Sequence, residues 1–410
     1  MSHTPAARTP AQAAPSPAVA TGDDRWRTHA VVLALGTFAV GTDAFVIAGV
    51  LPDIARSLRV GIGDAGQLVT VFSIAYAALA PVLAALTARW SRRTVLVTAM
   101  AVFALGNVVT ALAPAYGLVL ASRVVAGAGA AMYTANASAT AAMLAGKERA
   151  KAIALVMLGL TSSLVLGAPL GTAIGTGLGW RATIWFVTVL GVLAGLTIAL
   201  RLPSIRAPRP AGLRQRLAPL ADRRVLGVLA ATVVVFTGIY IPSTYVSVVY
   251  RPATGGDGDR VAILLLVFGV AATIGNLAVG HLSHHFTPRR VLIPVLLLLT
   301  ALFVLLPPLR GSFVTAVPAV AVSGALSFSV TTPQQHRIIA LVPAEQAPLV
   351  TSLYQSSLYL AVFLAGGVGA AGLGVRAIGP GRLPWVAAAF VLAAMVIVWA
   401  TGRRPAERDA

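Results

Sequence analysis

Long apolar stretches separated by short polar ones run along almost the whole sequence of 410 residues. A helix needs roughly 20 predominantly apolar residues to cross the hydrocarbon core of a bilayer. Stretches of about that length predict twelve membrane-spanning helices (spans 1 to 12), over residues 30–52, 65–88, 94–113, 116–143, 152–178, 182–200, 225–249, 261–283, 291–309, 311–335, 347–375 and 383–402.

The longest polar interruption, RLPSIRAPRPAGLRQRLAPLADRR, lies between spans 6 and 7 and divides the spans into two sets of six. The first 24 residues are rich in Pro, Ala and Thr and lack the apolar core of a signal peptide, which favours a disordered cytoplasmic tail. The predicted organisation is a tail at 1–27, a six-helix bundle at 28–200, a cytoplasmic linker at 201–224, a second bundle at 225–402 and a tail at 403–410.

An internal repeat supports two related halves. WSRRTVLV at 90–97, after span 2, resembles FTPRRVLI at 286–293, after span 8. Corresponding segments in two six-helix halves are typical of transporters built from pseudo-symmetric repeats, with the substrate site between the halves. The predicted fold class is therefore an all-α membrane protein of two pseudo-symmetric six-helix bundles.

Composition agrees with a polytopic membrane protein, since 58% of residues are hydrophobic, 10% are charged and the mean hydropathy is +0.86. The net charge of +19 would suggest nucleic acid in a soluble chain. Here the basic clusters lie in short loops, with an excess on the side of both termini, so the positive-inside rule predicts cytoplasmic termini in an inner membrane and no nucleic-acid partner.

The sequence contains no residue pattern that would indicate several other kinds of chemistry. The chain has no cysteine, which excludes disulfides and thiol catalysis, and it has no Walker loop, HExxH or GxSxG motif. A membrane enzyme would need polar catalytic groups clustered at one depth, and a receptor would need an output domain. We therefore expect no enzymatic activity, no cofactor and no metal.

Within the twelve predicted spans there are two formal charges, Asp43 in span 1 and Arg123 in span 4. Each costs about 2.5–3.5 kcal/mol at a helix centre unless it finds a partner or a watery cavity. Counting from the outer span ends at Pro52 and Tyr116, the two residues lie about 13 and 10 Å below the outer surface, so they are predicted to be close enough to pair.

Two interpretations of this pair remain open from the residues alone. One is a structural ion pair that joins spans 1 and 4. The other is proton coupling, because burial favours a protonated carboxyl, a nearby cation favours the ionised form, and the balance can change with conformation or bound ligand. The isolation of Asp43 among apolar residues also predicts that Asp43→Asn inserts at least as well as the natural chain.

Three stretches resemble motifs of the major facilitator superfamily, in particular its twelve-helix bacterial drug:proton antiporters, which include chloramphenicol and sugar efflux permeases. GTDAFVIAGVLPDIA (41–55) is similar to the acidic span 1 motif, and RVVAGAGAA (123–131) to the span 4 motif whose arginine is linked to proton transfer. The resemblance implies that Asp43 takes part in proton coupling or substrate recognition and that Arg123 takes part in proton transfer, and it carries over Gly127.

LGAPLGTAIGTGLGWRATIWF (166–186) resembles the span 5 antiporter motif, followed by a Gly-Trp-Arg turn at Trp180 and Arg181. Its glycines recur every four residues, and such a face lets a neighbouring helix approach closely. Plain packing and a surface along which two bundles rock are both compatible with this face. The motif residues are Gly167, Pro169, Gly171 and Gly175.

The loop between spans 2 and 3 departs from the family pattern. ALTARWSRR keeps Arg89, Arg92 and Arg93 but has Ala88 where the family has an Asp and Ser91 at its second Gly. The three arginines are open to two interpretations: part of the charge contact that the family uses in gating, or topological anchors.

The resemblance also implies that helices 1, 4, 7 and 10 line a central cavity. Aromatic residues there would favour a lipophilic, weakly polar substrate over a sugar, which needs several hydrogen-bonding groups. The expected lining residues are Phe38, Phe45, Met132, Tyr133, Asn136, Tyr240, Tyr245 and Phe328.

The histidines do not indicate a metal or substrate site. His281, His284 and His285 precede a basic pair and lack a nearby carboxylate, so a loop is favoured over a metal site. His336 and Arg337, beside Gln334 and Gln335, fall at the inner end of span 10, where an interfacial role is favoured.

Together the sequence predicts a monomeric, proton-coupled secondary transporter whose partners are protons, the lipid bilayer and a small-molecule substrate. The substrate is expected to be a small hydrophobic compound, an antibiotic such as chloramphenicol, exported in exchange for protons. The alternative is efflux of a sugar or nucleobase-like metabolite.

Overall fold

The computed structural model describes residues 25–205, 212–283, 286–343, 346–375 and 377–401. The predicted terminal tails lie largely outside these ranges, as do six residues of the predicted linker, 206–211, and His284 and His285. In the described chain every regular element is helical.

Within the described ranges, twelve helices are long and apolar enough to cross a membrane, as the hydrophobic pattern predicts, so the chain is a multi-pass membrane protein. They are α1 Arg25–Leu58, α2 Ile62–Leu86, α3 Arg92–Leu112, α4 Tyr116–Glu148, α5 Lys151–Leu178, α6 Trp180–Arg201, α7 Arg223–Thr244, α8 Gly258–Leu282, α9 Pro288–Leu309, α10 Phe313–Ile339, α11 Leu349–Gly374 and α12 Gly379–Thr401. We call the side where α1 begins and α12 ends the terminal side, and the opposite side the distal side.

Helix boundaries differ from the predicted spans by up to about six residues, and α1 runs to Leu58, beyond the predicted end at 52. The helix α1 begins at Arg25, within the stretch assigned to the N-terminal tail. The hydrophobic pattern extends span 7 to 249, but α7 ends at Thr244 and a separate short helix, Val246–Val249, follows. Pro242 has no N–H to donate, which weakens the last turn of α7, and Tyr245 (φ −108°, ψ 29°) ends it.

The helix pairings repeat with a shift of six. The contact of α1 with α5 corresponds to that of α7 with α11, and the contact of α3 with α6 corresponds to that of α9 with α12. Contacts between the two halves follow the same rule, since α2 packs on α11 and α5 packs on α8. The structure therefore has the pseudo-two-fold arrangement that the repeat at 90–97 and 286–293 indicates.

Polar side chains inside the helices bond to their own backbone. The hydroxyls of Thr110, Thr188 and Thr232 each donate to the carbonyl four residues earlier, at 2.8–2.9 Å. Such bonds satisfy hydroxyl groups where lipid offers no partner. They explain how apolar spans tolerate many threonines.

The Gly-Trp-Arg turn fixes the distal side of the first six helices. Gly179 has φ 86° and leads into α6, and the guanidinium of Arg181 lies 4.5 Å from the ring centroid of Trp180. Arg181 donates to Ser57 Oγ (3.1 Å) and to the Ala113 carbonyl (2.9 Å). One side chain thus joins α1, α6 and the end of α3.

On the terminal side, the part of the linker that the structure describes forms a short helix, Leu213–Leu217, which packs on α2. Burial lowers the pKa of Arg216 on this helix. The linker is therefore partly packed against the first half.

Candidate functional site

An ion pair between Asp43 and Arg123 lies inside the first six helices. The Nη1 group of Arg123 donates to both carboxylate oxygens of Asp43, at 2.9 and 3.1 Å. The side chains of Asp43 and Arg123 are 0% and 1% exposed, respectively. The structure thus brings together the two charges that the sequence places at similar depth, and each gives the other the partner that a buried charge requires.

Three further contacts surround Arg123. Its Nη1 lies 3.3 Å from Asn107 Oδ1, and its Nε lies 3.5 Å from the carbonyl of Leu68. Its guanidinium sits 4.5 Å from the ring centroid of Phe72. The cation is therefore held by α1, α2 and α3 as well as by its own helix, and Phe72 covers it with the electron-rich face of an aromatic ring.

The glycine face of α5 (Gly167, Gly171 and Gly175) packs against the helix that carries Asp43. A Cβ on Gly167 would overlap Thr42 Oγ1, one on Gly171 would overlap Val46 Cγ2, and one on Gly175 would lie 2.5 Å from Val50 Cγ1. No side chain larger than hydrogen fits at these positions without movement of α1.

Part of this face is not regular α-helix. Residues Ser163–Gly167 form a π-helical segment immediately before Pro169. A proline cannot donate to the preceding turn, and a π segment is one way in which a helix accommodates such a loss. The π-helical segment puts Ser163 beside Gly41 of α1.

A central cavity of about 1160 Å³ of empty space, part of it open to solvent, lies between the two halves. Eight helices and the segment after α7 line it, so α2, α5, α8 and α11 contribute in addition to the expected helices 1, 4, 7 and 10. The described lining residues include no Asp, Glu, Lys or Arg. Their polar groups are Ser73, Tyr76, Thr134, Tyr240, Ser243, Thr244, Tyr250, Ser323, Gln355 and Tyr359.

Of the eight residues expected to line the cavity, Phe45 and Tyr240 do so. Tyr133 is fully buried and donates to the Leu33 carbonyl, and Tyr245 is fully buried and donates to the Gly366 carbonyl, both at 2.8 Å. These two rings are taken up by helix packing because a buried phenol needs an acceptor.

The other four expected residues also lie outside the cavity. Met132 is buried among the first six helices, and Phe328 packs edge-on to Phe268, which itself lines the cavity. Asn136 accepts from Arg92 Nη1 (2.5 Å) near the terminal side, and Phe38 is partly exposed on α1. The aromatic content of helices 1, 4, 7 and 10 is therefore a poor guide to the lining.

The loop arginines occupy the terminal side, as their sequence position predicts. Arg89 and Arg93 are exposed, whereas Arg92 is partly buried and bonds to Asn136. Its backbone N–H donates to the Ile205 carbonyl at 2.7 Å. Arg92 therefore joins α3 to α4 and to the chain after α6, and it is more than a charge in a loop.

In α10, Gln334 is fully buried and donates to Thr232 Oγ1 at 3.3 Å. Arg337 bonds to Gln334 Oε1 (2.8 Å) and to Thr401 Oγ1 (2.9 Å). Arg337 thereby connects α10 to α12 near the terminal side, away from the residues that line the cavity.

Several site residues were missed by the sequence. Asn107 was detectable as a lone amide within span 3. Phe72, Tyr76, Gln355 and Tyr359 carry no signal of that kind, because aromatic and amide residues in α2 and α11 are as compatible with packing as with a cavity.

We expect Gly171→Leu to abolish transport or assembly, because the added side chain must enter the space that Val46 occupies. Gly177→Leu is the matched control, since a Cβ at Gly177 of the same helix has no neighbour within 4 Å. The loop residue Gly255 is a poorer control, because its φ of 66° strains any L side chain. The measurement is transport activity and size-exclusion profile of both variants; equal tolerance would show that the glycine face is not required.

Twelve helices in two related halves, with a cavity between them and a buried ion pair beside it, define a membrane transport protein. Residues 33–366 match the family model of the Major Facilitator Superfamily, and the chain belongs to that superfamily. The resemblance seen in the motifs is thus confirmed at the level of the family.

Among curated relatives, the uncharacterized MFS-type transporter YbcL of Bacillus subtilis is 31% identical over 372 residues, covering 90% of this chain and 94% of YbcL. The inner membrane transport protein YdhP of Escherichia coli K12 is 30% identical over 383 residues (92% and 96%). A chloramphenicol resistance protein of Streptomyces lividans is 33% identical over 332 residues (80% and 84%).

Solved structures share the fold at low identity. A bacterial homologue of the human lysosomal transporter Spinster, inward-facing and unoccupied, superposes with a TM-score of 0.71 at 16% identity, covering 93% of this chain and 98% of its own. A point mutant of the nucleoside transporter NupG gives a TM-score of 0.74 at 12% identity, covering 92% of this chain and 99% of its own.

Proposed function

We propose that this protein exports a small hydrophobic compound in exchange for protons, and that Asp43 is the group that binds and releases the proton. The observation that carries the proposal is the buried Asp43–Arg123 pair in a helix that also lines the cavity, through Ala44, Phe45 and Ala48. A carboxylate held by one cation in low dielectric changes protonation when that contact changes.

The cavity supports a lipophilic substrate. Its described lining is mostly apolar or aromatic and includes no charged side chain, so a sugar or a nucleobase-like metabolite would find few partners for its polar groups. The relative from Streptomyces lividans is a chloramphenicol resistance protein, which favours an antibiotic such as chloramphenicol as cargo.

In this proposal the terminal side faces the cytoplasm, the membrane is the bacterial inner membrane and the working unit is a monomer. The halves at 28–200 and 225–402 move as two bundles joined by the linker at 201–224. The excess of basic residues at the terminal side supports the orientation. The close contact of α5 with α1 supports the movement of the first bundle as one body.

The test is expression of the full chain in a host that lacks its main efflux pumps. We expect a raised inhibitory concentration of chloramphenicol, and substrate-induced proton flux in inside-out vesicles energised by respiration. An unchanged susceptibility across a broad panel of hydrophobic antibiotics, together with proton flux on addition of sugars or nucleobases, would favour the metabolite alternative.

A further inference from the structure

Two tyrosines from opposite halves stack on each other at the wall of the cavity. The ring centroids of Tyr76, in α2, and Tyr359, in α11, lie 3.5 Å apart with an interplanar angle of 19°. Both residues line the cavity, Tyr76 is 2% exposed and Tyr359 is partly exposed. We call this pair the tyrosine stack.

We infer that the tyrosine stack is the recognition site for an aromatic ring in the substrate, and that Tyr359 is the residue that selects for it. The inference rests on the proposed export of a small hydrophobic compound and names the chemical feature of that compound. Neither tyrosine belongs to the motifs that identify the family.

The geometry of the pair suits the binding of a flat ring. A flat substrate ring can take the place of one tyrosine against the other, because the face of an aromatic ring stacks on any flat ring. The stack joins α2 to α11, which pack closely across the two halves. A substrate ring that inserts between Tyr76 and Tyr359 preserves stacking on both sides while the helices separate.

The cavity wall around the tyrosine stack suits a neutral aromatic compound. Ser73, Thr134 and Gln355 are cavity-lining polar groups on the same helices or beside them, and the described lining carries no charge. A neutral aromatic compound with one or two hydrogen-bonding groups can bond to these polar side chains. A cation or an anion would lose its hydration without meeting a counter-charge.

The tyrosine stack is connected to the ion pair along one face of α2. Leu68, Phe72 and Tyr76 follow one another at four-residue spacing and therefore share a helix face. The Leu68 carbonyl and the Phe72 ring contact Arg123, and the Phe72 ring lies 6.4 Å from that of Tyr359. A ring bound at the stack is thus one helical turn from the group that covers the cation.

The experiment compares the binding of two probes to the purified full chain in detergent: chloramphenicol, and an analogue in which a cyclohexyl group replaces its nitrophenyl ring. The wild-type protein is expected to bind the aromatic probe roughly tenfold more tightly, as stacking on two rings predicts. Tyr359→Phe should keep this ratio, and Tyr359→Leu, which leaves only the ring of Tyr76, should reduce it to about threefold.

Tyr250→Leu is the matched control, because Tyr250 lines the same cavity but lies in the segment between α7 and α8. Tyr250→Leu is expected to leave the ratio of the two probe affinities unchanged, even if it weakens the binding of both probes. A purely structural role of Tyr359 would weaken both probes equally and leave the ratio unchanged, which would overturn the inference. Absence of binding of chloramphenicol to the wild type would overturn it as well.

The ratio of the two probe affinities tests the tyrosine stack separately from the proposed proton exchange. Binding in detergent requires no proton gradient, so the ratio is preserved even for a protein that does not exchange protons. Conversely, proton-driven export with no preference for the aromatic probe would leave the proposed function intact and remove the tyrosine stack as its recognition site.

Discussion

Asp43→Asn is expected to abolish export against a gradient while substrate still binds. An amide keeps nearly the shape of the carboxyl and still offers one oxygen to Arg123, but it cannot take up or release a proton at working pH. The measurement is uptake of radiolabelled chloramphenicol into inside-out vesicles with an imposed pH gradient, alongside binding in detergent. Accumulation by the variant at the wild-type level would show that Asp43 does not carry the proton.

The structure changes one expectation for this variant. An isolated carboxylate among apolar residues suggests that Asn inserts at least as well, but Asp43 is paired with a cation that is 1% exposed. Removing the carboxylate leaves that cation buried with weaker partners, and breaking a buried pair costs about 3–5 kcal/mol. We therefore expect a lower melting temperature for Asp43→Asn than for the wild type.

The double variant Asp43→Asn/Arg123→Gln separates folding from coupling. It removes both charges together, and replacement of a whole buried pair is often close to neutral for stability. We expect near-wild-type thermal stability with no proton-driven accumulation. A double variant that exports against a gradient would exclude a coupling role for the pair, since no titratable carboxyl would be present there.

Arg123→Ala is expected to stop coupled export by a different route. Without its cation, a carboxylate that is 0% exposed loses the partner that compensates its charge, so the proton exchange proposed for Asp43 should fail. The substitution also empties the space of the largest fully buried side chain, so the free energy of unfolding should fall by several kcal/mol, about 3–5 from the broken pair alone.

The specific measurement is the pH profile of proton release when substrate binds in detergent. We expect wild-type protein to release protons over a defined pH range and Arg123→Ala to release none. Arg123→Gln serves as a control that fills more of the space without restoring charge. The same profile in Arg123→Ala and wild type would mean that Arg123 does not influence the protonation of Asp43.

Arg123→Lys should recover only part of the activity. In the structure a single nitrogen, Nη1, contacts both oxygens of Asp43, so an ammonium can reproduce that contact in part. It cannot at the same time reach the Leu68 carbonyl and present a flat face to Phe72, which the guanidinium does with its other atoms. Full recovery would indicate that charge alone matters at this position.

The predictions for Asp43 and Arg123 depend on the same physical feature, a buried charge pair whose cation lies against the ring of Phe72. Phe72 lies against Arg123 and is a neighbour of Tyr359 on the other half. In the proposed cycle, movement of α2 relative to α11 would act on the ion pair through Phe72. In the proposed cycle the ion pair is stable while Phe72 stays in place and becomes accessible to protons when α2 moves.

The sequence by itself determined the fold class and the helices. Apolar stretches of bilayer length fix the number and order of the spans, because every backbone group in lipid must bond within its own helix. The pair of Asp43 and Arg123 was also predictable, since two charges at similar depth in one bundle have strong reason to meet. The glycine spacing in α5 predicted a close helix contact, and the structure identifies α1 as the neighbour.

The tertiary structure alone decided what lines the cavity. Tyr133 and Tyr245 are aromatic residues on expected cavity helices, yet their hydroxyls bond to backbone carbonyls of neighbouring helices. Tyr76 and Tyr359 lie on helices that the family resemblance did not assign to the cavity, and they meet only because α2 and α11 pack across the two halves. In a uniformly apolar helix the periodic pattern does not distinguish the face that meets lipid, a neighbouring helix or a cavity, so helix rotation and packing set the site.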